Sequence, residues 1–323
     1  MNAILRSVLA TMLLVVLTGA GAAQPGKRTY RIGVLTEAWA ANHPTVEGLR
    51  AGLFDLGFEE GRDVTYDVRF TQGDTKALPA AATALLATGV DVIFTCSEAA
   101  TLDAKAATSK LPIVFTLISD PVASGIVESR ARPSGNLTGI SNLAVELAGK
   151  RLQVLKTLEP TVERVWVPHA SDDPTAASAL SRMRAAAAEL GLEIVSRSIS
   201  ELSHMNALLA EIKRGDALIA PDTSSLDIAA AILDASLAAR IPAMFPSSLW
   251  VGHGGLVSYG PDYHAQGTQA ARLVAKILRG SRPQDLPVEG AAKIDLVVNL
   301  KTANHLGISV PRKVLLRADA MRR

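Results

Sequence analysis

The chain has 323 residues, 48% apolar and 20% charged, which is enough apolar mass for two cores and excludes a disordered or fibrous polymer. Its 33 Lys and Arg against 31 Asp and Glu argue against a nucleic-acid partner or a polybasic membrane-surface role. A single cysteine, Cys96, excludes an internal disulfide.

The first residues, MNAILRSVLATMLLVVLTGAGAAQ, place Arg6 before an apolar run from Val8 to Leu17, followed by small residues at cleavage-site spacing. This pattern predicts a secretory signal peptide over 1–23, the run being shorter than the roughly 20 apolar residues of a membrane span. No cysteine follows it that could carry a lipid. The mature protein is therefore expected to be exported, soluble and periplasmic.

Short β-branched runs then alternate with helical patterns. Strands are expected at Tyr30–Leu35, Val64–Phe70, Val90–Thr95 and Pro112–Ser119. Helices are expected at Pro44–Leu56, Asp74–Thr88, Glu98–Ser109 and from Pro121 to about Arg130. The order βαβαβαβα predicts a doubly wound parallel sheet. Pro133 to Asn136 breaks the pattern, and Ser134–Ser141 reads as a pliable crossing to a second lobe, with Gly135 and Gly139 relaxing the backbone.

The pattern restarts with a helix over Glu146–Leu158, a strand at Arg164–Pro168 and a helix over Pro174–Leu190. The pairing repeats through LEIVS and Ser203–Arg214, then through Asp216–Pro221, Ser225–Arg240 and Ile241–Phe245. The remainder, LVSYG, Asp262–Arg279, KIDLVVNL and a short helix near Lys301–Leu306, is too little for a third domain. It is expected to complete both earlier sheets. The fold class is thus α/β, with two Rossmann-like lobes joined by several crossings: 30–139 with about 255–284 in lobe 1, and 140–254 with about 285–323 in lobe 2.

Motifs for chemistry are sparse. The six histidines lack the i, i+4 pairing of a helical metal site, and no cofactor or metal is expected. No P-loop, GxGxxG turn or GxSxG elbow is present. Cys96, at the end of a buried strand, reads as a small apolar filler.

What remains is a binding geometry. Ligands of open α/β sheets sit beyond the carboxyl ends of the strands, beside helix N-termini. Those loops hold Thr36, Glu37 and Trp39, then Ser97 and Glu98, then Ser119 and Asp120. In the second half they hold Ser171, Asp222 and Thr223. Hydroxyls and carboxylates dominate, and these loops carry no Lys or Arg. Capping accounts for part of this, most clearly for Asp120 before Pro121. The functional reading is a polar cleft in which Glu37, Glu98, Asp120 or Asp222 takes an amine, and Trp39, Trp250 or Tyr259 packs on an apolar ligand body.

Three stretches carry a family resemblance: LPIVFTLISDPVASGIVESRARPSGNLTGISNLAVELAGKRLQVLKTL from Leu111, GGLVSYGPDYHAQGTQAARLVAKILRGSRPQDLPVE from Gly254, and VNLKTANHLGISVP from Val298. In these the chain resembles extracytoplasmic ABC-transporter substrate-binding proteins of the type I periplasmic-binding fold, in the branch that includes tryptophan- and phenylalanine-binding receptors. The resemblance implies two lobes interwoven by three crossings and closing on a small-molecule ligand, an ABC permease of the inner membrane as partner, a monomer, and no catalysis. It places Thr36 to Trp39, Ser97, Glu98, Ser119, Asp120, the crossing residue Ser141, Asp222, Thr223 and the region of Tyr259 at the cleft. Relatives often have Gly-Thr-Pro where this chain has Ser97-Glu98-Ala99, which alters the expected charge preference of the ligand. A sensor subunit serving a membrane signalling protein would have the same sequence features. A two-lobed racemase would need paired cysteines or an acid/base pair across the cleft.

Overall fold

β-branched and aromatic side chains crowd a helix but pack well on a pleated surface. The runs IGVL, VIF and IVF are buried on both faces, as strands are when helices cover both sides of a parallel sheet. The computed structural model of the protein describes residues 28–38, 40–222 and 228–323. The expected signal peptide lies outside the described residues.

In chain order the first segment is β1 (Tyr30–Thr36), α1 (Pro44–Asp55), β2 (Val64–Phe70), α2 (Leu78–Ala87), β3 (Val92–Cys96), α3 (Glu98–Ala107), β4 (Ile113–Ile118) and β5 (Leu137–Ser141). The second is α4 (Ala144–Leu158), β6 (Arg164–Ala170), α5 (Ala176–Leu190), β7 (Glu193–Ile199), α6 (Ser203–Glu211), β8 (Asp216–Ile219), α7 (Ile228–Ala239), β9 (Ala243–Phe245), α8 (Ser248–Gly252) and β10 (Val257–Pro261). Then come α9 (Tyr263–Leu278) and β11 (Glu289–Gly290), and finally β12 (Ile294–Asn299), α10 (Leu300–Leu306), α11 (Arg312–Leu315) and β13 (Ala320–Arg322).

These strands form two sheets, and the molecule is a two-lobed α/β fold. The first sheet runs β11-β5-β4-β3-β1-β2 and the second β13-β12-β10-β9-β8-β6-β7. The first is parallel throughout, whereas the second is parallel except where β12 pairs antiparallel with β10. Each sheet carries an apolar core on both faces. Strand order reverses between β1 and β3 in one lobe and between β6 and β8 in the other. Such reversals leave a crevice at the carboxyl ends of the strands.

The crossings depart from expectation. Ser134–Ser141 is not a crossing in itself, because Leu137–Ser141 is the fully buried strand β5. Gly139 serves close packing, since a Cβ there would overlap the Phe115 carbonyl. The chain changes lobe just after β5, at Asn142 and Leu143, and Leu143 takes a left-handed φ of +58°. Strand β10 belongs to the second sheet and β11 to the first. The expected boundaries at 254/255 and 284/285 therefore move to the segments 261–263 and 290–294.

The three crossings are bonded side by side. Ala291 N donates to Ser141 O at 2.9 Å, and Asp262 N to Lys293 O at 3.2 Å. Gln266 Nε2 donates to Asn142 Oδ1 at 2.7 Å.

The helix expected after Asp120-Pro121 is a set of turns. Asp120 Oδ1 accepts from the Val122 and Ala123 amides, Ile126 N and Val127 N both return to Pro121 O, and Gly125 turns left-handed at φ +66°. Local side-chain bonding closes the first turn and leaves no ladder to extend.

Helix α9 rejoins the first lobe by lying against α1 at unusually short range. A Cβ on Gly48 would overlap the His264 carbonyl oxygen, and one on Gly267 would overlap the Thr45 carbonyl oxygen. A Cβ on Gly52 would come 2.7 Å from that of Ala271. Gly48→Ala or Gly267→Ala is therefore expected to destabilise the fold by about 3 kcal/mol or more in denaturant titration, since overpacking against backbone outweighs the gain in helix propensity. Gly252→Ala, at the end of α8 with open space around it, is the control and is expected to be neutral or mildly stabilising.

Candidate functional site

The loops past β3 and β4 in the first lobe lie within electrostatic reach of the loop past β6 in the second. The clearest sign lies at Glu98, the first residue of α3. Its half-buried carboxylate accepts from Ser124 Oγ at 2.6 Å. Burial raises its pKa; the Ser124 hydrogen bond opposes the rise, while the charges of Asp173, Asp172 and Asp120 add to it. Asp172 and Asp173 follow β6 in the other lobe, so carboxylates of the two lobes are close enough to influence one another's charge.

Other expected site residues are locally engaged. Thr36, buried at the end of β1, accepts from Ala38 N at 3.1 Å. The Glu37 carbonyl receives Gly73 N at 2.8 Å. Ser97 caps α3 by accepting from Ala100 N at 3.2 Å. At the end of β4, Leu117 turns to φ +61° and the register with β5 shifts, which re-aims Ser119 and Asp120. Ser141 Oγ donates to Ser119 O and accepts from Leu143 N, both at 3.3 Å, and so braces the first crossing. Ser171 is exposed. Trp39 and Thr223 lie outside the described residues.

Two aromatic candidates pack inward. Tyr259 packs against the core of the second lobe. Trp250 stacks on Phe245 with centroids 6.0 Å apart. Burial pushes the Cys96 thiol up to about 12, consistent with an inert core residue.

Asp222 is not a free acceptor for an amine. Its Oδ2 receives Arg151 Nη1 at 2.5 Å, and both side chains are almost fully buried. Arg151 comes from α4 and so escapes an inspection of loops alone. Its sequence signal is a charged residue in the buried stripe Leu147, Arg151, Leu155, Leu158. Arg151 Nε also donates to Tyr259 O at 2.9 Å.

Tyr263, the first residue of α9, brings the first lobe to the same place. Burial pushes its phenol up to about 12; the hydroxyl of Ser247 opposes this, Asp222 adds to it and Arg151 opposes it. Tyr263 stacks on His43, with ring centroids 5.9 Å apart and planes 27° apart. Sequence reading passed over Tyr263 because the adjacent Asp262 explains the local pattern as the cap of α9.

The model of the family described as "ABC transporter substrate binding protein" matches residues 37–322. The chain belongs to that family. As a substrate-binding protein it is a binder rather than an enzyme. It is 26% identical over 290 residues to a tyrosine-binding protein of Clostridioides difficile strain R20291, covering 87% of this chain and 81% of that one. A solved conserved domain protein from Vibrio cholerae is 28% identical with a TM-score of 0.81, covering 91% of the substrate-binding protein and 100% of the other chain. An ABC domain from Streptococcus pneumonia, solved in complex with L-Trp, has a TM-score of 0.80 at 24% identity with the same coverage. Among the described residues, no helix of this substrate-binding protein is long and apolar enough to cross a membrane.

His43 gives this region a pH signature. Burial lowers its pKa from 6.5 to about 4, so the native protein holds it neutral, with Nδ1 accepting from Thr45 N. Unfolding restores an ordinary imidazole, which binds a proton that the native state refuses between those pH values. The stabilisation is complete above pH 6.5 and is lost as pH falls towards 4, by about 3 kcal/mol. His43→Asn, still able to cap α1, is expected to flatten that part of a stability–pH profile; an unchanged slope would assign the acid sensitivity elsewhere.

Proposed function

We propose that this protein is a periplasmic solute receptor of an ABC importer, exported by its first 23 or so residues, acting as a monomer and docking on an inner-membrane permease. It closes its two lobes on an amino acid or related amine. The observation that carries this reading is the set of carboxylates divided between the lobes: Glu98 and Asp120 on one side, Asp172 and Asp173 on the other.

Like charges brought together across a crevice oppose closure. An ammonium group placed among them reverses the sign, so the ligand stabilises the closed state more than the open one. That difference is what shifts the population. The L-Trp complex and the tyrosine-binding protein among the similar proteins support an amino-acid ligand. The replacement of a hydroxyl residue by Glu98 at the family's third-strand loop supports an amine-bearing one.

Two outcomes are expected. In a thermal-shift screen of amino acids, polyamines, nucleosides and sugars, amine-bearing compounds raise the melting temperature, and small-angle scattering shows a more compact particle with the best of them. A verified ligand that leaves the scattering unchanged would contradict hinge closure. Glu98→Gln weakens that ligand at least tenfold by calorimetry, about 1.4 kcal/mol; unaltered affinity would remove Glu98 from the site.

A further inference from the structure

The near-balance of charge over the whole chain hides an uneven distribution. Five of the 33 Lys and Arg, but only one of the 31 Asp and Glu, fall within 312–323, so twelve residues carry +4 in a chain whose net charge is +2. Arg312 and Lys313 lie on α11, Arg317 follows it, Arg322 ends β13 and Arg323 comes next. Lys301, on α10, stands two residues past Asn299, the register partner of Arg322 on β12. All six are exposed, and none of their side chains has a hydrogen bond or ion pair among the described residues. The one acid is turned inward, Asp319 Oδ2 accepting from Leu296 N at 2.8 Å. Asp295, on the neighbouring β12, is answered by Lys293 at 3.3 Å.

Apolar groups are interleaved with these cations. Leu316 is 75% exposed, the most of any large apolar side chain among the described residues, and Met321 is 43% exposed. The segment is nevertheless held in place. Val314 is buried in the core of the second lobe, and β13 pairs parallel with β12 from Ala320 to Arg322. Strand β13 is the margin of the second sheet and is exposed on both faces. A bare sheet margin often carries charge that repels other strands. That accounts for a cation or two, but a purely repulsive margin would not also present Leu316 and Met321. Single-stranded nucleic acid would call for aromatic stacking platforms, and 312–323 has no aromatic residue. Exposed aliphatic tips among unpaired cations match the boundary between the headgroups and acyl chains of an anionic bilayer.

Resting on the reading of the protein as an exported receptor that serves a membrane permease, we propose that 312–323 and Lys301 form a docking strip for an anionic phospholipid surface. Each cation held near such a surface adds attraction that salt screens, and the aliphatic tips add a part that salt does not. The hold is reversible, because a short polybasic strip with two apolar tips falls far below the grip of a spanning helix. Its effect is to raise the concentration of the receptor beside the permease.

Co-sedimentation of the full mature protein with vesicles tests this. Vesicles of equal parts phosphatidylglycerol and phosphatidylcholine are expected to carry the protein down, and vesicles of phosphatidylcholine alone are not. R312Q/K313Q/R317Q/R322Q is expected to weaken that partition by about tenfold or more. K76Q/K110Q/R132Q/R214Q removes four exposed cations elsewhere and is expected to leave it within about twofold, since screening confines the attraction to nearby charges. L316S/M321S is expected to weaken it by about threefold or more, with the remainder abolished by salt. All three variants are expected to melt within a few degrees of the parent, since no altered side chain is buried or bonded. A parent that binds both vesicle types alike overturns the strip. So does an undiminished partition in the first or third variant, or a control variant that loses as much as the first. Soluble polyglutamate bound as tightly as the anionic vesicles would make the strip a site for acidic protein and overturn it too. Each of these failures leaves the solute-receptor reading standing, which the ligand screen decides separately.

Discussion

The near-contact of α1 with α9 is the constraint on which the molecule depends. Gly48, Gly52 and Gly267 let the two helix backbones approach as side-chain-bearing residues would not. That approach returns a late segment of chain to the first lobe and fixes the direction from which it arrives. Thr268 Oγ1 donates to Gly48 O at 3.2 Å across the same seam. Because α9 is set against α1, its first residue, Tyr263, lands on His43 at the mouth of the crevice. Gln266, one turn on, reaches Asn142 in the first crossing. One helix pairing thus positions Tyr263 and braces the first crossing.

Loops and a helix carry opposite charges beside the crevice. Negative charge gathers on the loops past β3, β4 and β6, drawn from both lobes. The positive charge of Arg151 lies deeper, on a helix, clamped by Asp222 and the Tyr259 carbonyl. A loop suits a group that has to engage and release, whereas a helix suits a buried charge whose direction must not vary. The crossings are bonded to one another through backbone and side chain, and Leu143 occupies a left-handed conformation beside Gly290, where a Cβ would come 2.8 Å from the Leu143 side chain. Backbone held in such a region tends to mark places where a fold changes shape.

Much of the architecture was legible in the sequence because strand and helix periods differ and Gly and Pro punctuate them. Val64–Phe70 matches its expected strand residue for residue. Failures occurred where tertiary contacts decide. Asp120-Pro121 looks like a helix start, yet its side-chain bonds are spent on a single closed turn. Gly139 looks pliable, yet it is a packing residue against Phe115 in a central strand. Strand β11 is two residues long and has no period to read. At the candidate site, the loops are legible in the sequence because every βα unit delivers its carboxyl end to one edge. Arg151 and Tyr263 are not, since both lie on helices and are brought to Asp222 only by the way the lobes are assembled.

The strand orders have a consequence for how the chain acquires its shape. Edge strand β11 and covering helix α9 of the first lobe are encoded after β6 to β10 of the second, and β12 and β13 of the second lobe come later still. A ribosome working from the N-terminus therefore makes the opening lobe as a fragment, with one sheet margin unpaired and one apolar face bare. Neither lobe is a continuous stretch of chain, so neither can be excised as an independent folding unit by a single cut.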